Sequence, residues 1–108
     1  MIKVNIYENS TGKPIGLKLK GHAGYDIFGK DIICAAASIL TINTINSIES
    51  FTHDKLDVTV DEKNALIDFK LDGNISVESQ VLLDALKLGL MNIENQGSDY
   101  ISIRIKEV

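Results

Sequence analysis

Apolar and polar residues alternate from the start of the chain. Ile2, Val4 and Ile6 alternate with Lys3, Asn5 and Tyr7, the period of two that marks a strand with one buried face. Asn9 to Pro14 (NSTGKP) predicts a turn, with Gly12 free to take positive φ and Pro14 opening the next segment. Ile15, Leu17 and Leu19 then alternate with Gly16, Lys18 and Lys20, which predicts a β-hairpin. After the glycine-punctuated loop from Gly21 to Lys30 the period changes to that of a helix. Asp31 reads as its N-cap, and the helix is predicted to run to about Ser50. Ile33, Ala36, Ala37 and Leu40 lie on one side of it and Ile39, Ile42 and Ile45 on another. A helix apolar on so many faces needs cover from more than the sheet alone, and a second subunit is one source.

The pattern then repeats. Leu56, Val58 and Val60 alternate with Asp57, Thr59 and Asp61, a polar turn follows at Glu62 to Asn64, and Ala65, Ile67, Phe69 and Leu71 share the next face. Gly73 and Asn74 break this second hairpin. Ser76 is the expected cap of a second helix, with Glu78 in its first turn where the dipole favours an acid. Gln80, Asp84, Lys87 and Glu94 are expected to face water, and Val81, Leu82, Ala85, Leu88 and Leu90 to pack. Gln96 and Gly97 end the helix, and Ile101, Ile103 and Ile105 point inward from a last strand. The order ββαββαβ predicts an α+β fold, one mainly antiparallel sheet with two helices packed on one face, as a single domain over residues 1–108. The halves form a loose repeat in pattern, in which Ser79 takes the position of Cys34.

Composition narrows the function. With 108 residues, the chain is long enough for a core without staples, and its one cysteine cannot form an internal disulfide. The run Ile32 to Ile48 lacks charge but carries Ser38, Thr41, Asn43, Thr44, Asn46 and Ser47, so it reads as a buried helix and no membrane partner is expected. The strand beginning at Ile2 leaves no room for a signal peptide, and the cytoplasm is the expected location. A formal charge of −4 and a pI near 5.0 argue against direct nucleic acid binding and suit a basic partner.

The chemistry collects in Gly21 to Ser38, GHAGYDIFGKDIICAAAS, which holds the only cysteine and one of two histidines. With Asp31 as cap, Cys34 is the third helical residue. Its side chain leans toward the N-terminus, where the helix dipole stabilises a thiolate and free amides could donate to an oxyanion. His22, at the end of the second strand, can fold onto the thiol across the glycine-rich loop. His53 sits roughly 28 Å from Cys34 at ~1.5 Å per helical residue, out of reach within one chain. A competing reading makes Cys34 a small buried hydrophobe beside an ordinary loop histidine. A metal site is disfavoured: His22, Cys34 and Asp26 or Asp31 fall short of the four ligands of structural zinc. Gly21, Gly24 and Gly29 do not form a phosphate loop, because no Lys-Ser/Thr pair opens the helix, and no cofactor is expected. Ser38 lies one turn beyond Cys34 on the same face.

At these residues the chain resembles the bacterial ribosomal-processing cysteine proteases, the Prp family. The match is Gly21-His22-Ala23, Gly29, Asp31-Ile32-Ile33-Cys34-Ala35-Ala36 and Ser38, and it extends over the whole chain in length and order of elements. The loop centre, Tyr25-Asp26-Ile27-Phe28, is bulkier and more apolar than the family pattern. The resemblance implies a cysteine endopeptidase with Cys34 as nucleophile and His22 as general base, with Asp31, Ser38, Gly21 and Gly29 in support. It further implies a cytoplasmic homodimer that removes the short N-terminal extension of ribosomal protein L twenty-seven, cutting after an aromatic residue. The alternative is a non-catalytic ribosome assembly factor that holds a basic ribosomal protein in the same groove.

Overall fold

A computed structural model describes the backbone of residues 1–21 and 28–108, and the side chains of residues 1–21 and 32–108. The elements run β1 (Ile2–Glu8), β2 (Pro14–Lys20), α1 (Phe28–Phe51), β3 (Lys55–Asp61), β4 (Leu66–Asp72), α2 (Val77–Gln96) and β5 (Ile101–Glu107). The five strands form one sheet in the order β3-β4-β2-β1-β5. β1 runs antiparallel to β2, β2 to β4 and β4 to β3, while β5 lies parallel to β1. The expected α+β architecture, with both helices on one face, is the observed one.

The first hairpin follows its alternation: Ile2, Val4, Ile6, Leu17 and Leu19 are buried on the helix side. Its turn is built by Asn9, whose Oδ1 accepts from the amides of Thr11 and Lys13, both at 3.0 Å, and Gly12 takes the expected positive φ of 78°. Tyr7 pairs with Gly16 and Glu8 with Pro14, so Ile15 is a bulge residue that shifts the alternation and turns Pro14 inward. In the second hairpin the alternation assigns Ala65 to the strand, but β4 begins only at Leu66. Ala65 occupies the turn before β4, at φ 52°.

α1 begins at Phe28, four residues ahead of the predicted first helical residue Ile32, so Asp31 lies inside the helix rather than capping it. Favourable capping chemistry at Asp31 is a local preference, and a further turn of helix overrides it here. Ala37, Thr41, Ile45 and Ile48 form the buried stripe of α1. Thr41 is accommodated because its hydroxyl donates to the Ala37 carbonyl at 2.8 Å, as that of Thr44 does to Leu40. The stretch Ile32–Phe51 has the length and hydropathy of a membrane span, yet this stripe sits in the core cluster with the sheet.

α2 starts and ends as predicted: the Ser76 hydroxyl accepts from the Ser79 amide, and Gly97 follows the last turn. Its buried stripe is Ser79, Leu83, Leu86 and Leu90, whereas Val81 and Leu88, expected to pack, are exposed. Nor do the polar residues simply face water. Lys87 pairs with Glu8 at 2.7 Å, Gln80 donates to the Pro14 carbonyl at 3.0 Å, and Glu94 accepts from the Ile103 amide at 2.8 Å. These three contacts tie α2 to β1, β2 and β5. On β5, Ile101 is buried, but Ile105 emerges at the sheet edge. Each fully buried Leu or Ile between sheet and helices stabilises the fold by about 1.5–3 kcal/mol.

Candidate active site

β3 is an edge strand, and the helices stop short of covering it. Val58 and Val60 stay exposed on the helix side, leaving a groove of about 280 Å³ between α1 and the β3–β4 hairpin. One wall is the stripe Cys34, Ser38 and Ile42, successive turns of α1 at the i, i+4, i+8 spacing. Val60, Leu66 and Ile67 form the other wall, Leu19 contributes from β2, and Asp61, Glu62 and Ala65 complete the lining at the hairpin turn. Cys34 is a free, half-buried thiol that packs against the core on one side and opens to this groove on the other.

Gly21 explains how the strand end and the thiol come together. Its amide donates to the Ala65 carbonyl at 2.9 Å, extending the β2–β4 ladder by one bond past Lys20. At that point a Cβ would fall 3.0 Å from the Cys34 sulfur. The sulfur therefore rests against the end of β2, one residue before His22. His22 itself, with the loop centre Tyr25-Asp26-Ile27, lies outside the described residues. Gly29 is the second residue of α1, and Ser38 lines the groove one turn beyond Cys34.

The earlier helix start changes the electrostatics inferred from sequence. Cys34 is the seventh residue of α1, not the third, so the amides of Ile33 and Cys34 lie beyond the first turn that supplies unpaired donors. The free amides expected beside Cys34 are thus removed as oxyanion donors. The proposed equivalence with Ser79 also lapses, since Ser79 is the third residue of α2. Ser79 is buried in a capping cluster instead. Hydrogen bonds from the Ser79 hydroxyl, then from the Ser76 hydroxyl and amide, hold the Asp54 carboxyl below its ordinary range. The Ser76 contacts measure 2.7 and 3.0 Å. His53 is exposed beyond the end of α1, next to Asp54, as expected. Among the described residues, no group of three or more His, Cys, Asp or Glu side chains could hold a metal.

The resemblance implies a hydrophobic pocket near the loop, but the residues that wall it are not legible from sequence, because they come from α1, β2 and a hairpin more than twenty residues beyond Cys34. Its one early sign is the apolar face of β3, which alternates like a core strand but has no helix left to cover it.

A lone thiol in a solvent-open apolar groove, beside a strand edge on which an extended chain could lie, is the kind of site a cysteine peptidase uses. The family model described as cysteine protease Prp matches residues 1–102. The ribosomal processing cysteine protease Prp of Staphylococcus aureus is 28% identical over 106 residues, covering 98% of this chain and all of that protein. Its crystal structure with a substrate peptide superposes with a TM-score of 0.90 at 27% identity, over 98% of this chain and all of that one. A complex of the S. aureus protease with a covalently linked product peptide gives 0.86 at 28% identity, with the same coverage. The chain belongs to the Prp family of cysteine proteases.

Proposed function

We propose that this cysteine peptidase removes the short N-terminal extension of ribosomal protein L twenty-seven, cutting after an aromatic residue. The observation that carries the proposal is the Cys34 sulfur lying against Gly21 at the head of an apolar groove, with His22 the next residue in the chain. The S. aureus relatives, solved with substrate and product peptides, support a peptide as the occupant. In this reading the aromatic side chain enters between Ile42 and Leu66. His22 takes the Cys34 proton, and the thiolate sulfur adds to the scissile carbonyl carbon. Collapse of the tetrahedral intermediate breaks the C–N bond, and His22 returns the proton to the leaving amine. Water, deprotonated by the same imidazole, then hydrolyses the thioester and restores the thiol.

The enzyme is proposed to act in the cytoplasm as a homodimer on a basic precursor. Exposed Ile32 and Ile39 on α1, with Phe51, Val77 and Val81 near the helix ends, support cover by a second copy. Mass spectrometry of the precursor peptide after incubation tests the activity. Cleavage after the aromatic residue is expected from the native chain, and binding without cleavage from Cys34→Ala. Unchanged cleavage by Cys34→Ala ends the proposal. Binding without cleavage by the native chain, with a Cys34 slow to alkylate, would favour the assembly-factor alternative.

A further inference from the structure

The groove has a second chemical character beside the thiol. Its floor is apolar, but the hairpin turn at its rim brings two adjacent carboxylates, Asp61 and Glu62, into the lining, and none of the described lining residues is basic. Asp61 is fixed in place: Asn64 donates to it from the side chain at 2.6 Å and from the amide at 3.3 Å. Those bonds lower its pKa, so it stays ionised wherever a thiolate peptidase works. Glu62 is exposed and makes no ion pair among the described residues. Half-exposed Val60 precedes the two acids, so one short stretch presents an apolar surface followed by negative charge. An extended peptide, with side chains alternating every ~3.3 Å, meets both in passing.

Resting on the reading of this groove as the peptide site, we propose that it selects a segment in which an apolar side chain has a lysine or arginine close by in sequence. The apolar group fills the floor beside Cys34, and the cation is held at the rim by Glu62, with Asp61 behind it. Glu62 is then a specificity-determining residue of the peptidase.

The test uses Cys34→Ala, expected to hold peptide without cutting it, and fluorescence anisotropy with two short peptides. They are identical around one phenylalanine except for flanking lysines in one and flanking glutamates in the other. The lysine peptide is expected to bind about fivefold tighter, the range of a partly exposed ion pair. Added Glu62→Gln should abolish the preference, Glu62→Lys should reverse it, and salt should shrink it. Glu107→Lys, on β5 at the opposite sheet edge, changes net charge by the same amount and should leave the preference intact. Equal affinity for both peptides, binding of neither, or an equal effect of the Glu62 and Glu107 changes overturns the proposal. Cleavage by the native chain is scored separately. Cutting without charge preference refutes the rim and keeps the peptidase; charge-selective binding without cutting does the reverse.

Discussion

Gly21 and Cys34 touch across the junction of β2 and α1, so closely that a Cβ on Gly21 would lie 3.0 Å from the sulfur. Gly21→Ala must displace the thiol, while the alanine keeps the amide that bonds Ala65. Small errors in the placement of a reacting atom are costly. Peptide cleavage is expected to fall about tenfold and iodoacetamide labelling of Cys34 to slow, a barrier rise of about 1.4 kcal/mol. The melting temperature should stay within a few degrees. Native rates of both reactions in Gly21→Ala would show that the contact does not position the nucleophile.

The groove wall makes a separable prediction. Val60 is 50% exposed on an edge strand, so Val60→Asp should cost the fold only about 1 kcal/mol, the span of strand propensity. It places a charge where an apolar peptide side chain is expected to pack, and losing about 1 kcal/mol of burial would raise KM about fivefold. Steady-state kinetics on the precursor peptide, beside a thermal melt, separate the two effects.

How much of this was legible in the sequence follows from the range of each interaction. Alternation locates all five strands, because each carries one apolar face, although that of β3 is left uncovered. Sequence pattern does not fix the phase of α2: leucines and valines surround the helix, and only contact with the sheet selects Leu83 and Leu86 over Val81 and Leu88. Asp31 misplaced the start of α1 because capping chemistry is available wherever an Asp precedes an apolar run. Cys34 stood out as the single cysteine, but the partners of its groove, Val60 to Ile67, are set by the edge position of β3, which no local pattern encodes.

The α2 cap should govern stability in acid. Bonds from Ser79 and Ser76 depress the Asp54 pKa, so its contribution is complete above the ordinary value of 3.8 and is lost as pH falls through the lower folded value. Near neutral pH, Ser76→Ala is expected to cost about 1 kcal/mol, or ~4 °C in melting temperature. Asp54→Asn should also melt below the native chain there, and the gap should close in strong acid. Melts across the acid range check the convergence.

On the outer face of the sheet, Tyr7 donates to Asp68 at 3.0 Å. Burial, then the hydrogen bond and charge of Asp68, push its pKa from 10.0 to about 12. The stability it contributes is present below 10.0 and is lost as pH climbs through about 12. Ultraviolet titration should show Tyr7 ionising late, and Tyr7→Phe should remove that step. The same variant should lower stability by about 1 kcal/mol.

The parallel pairing of β5 with β1 joins residues almost a full chain length apart, with Ile2 opposite Ile101 and Glu8 opposite Glu107. No other strand pair in the sheet encloses so long a loop, so this one carries the largest closure entropy and sets the contact order on which folding speed depends. It also lies at the opposite edge of the sheet from β3. The half of the domain that carries the thiol and its groove can therefore assemble from contacts made earlier during synthesis. β5 emerges after every other strand and closes the far side, and the sheet becomes complete only when its first and last strands lie next to each other.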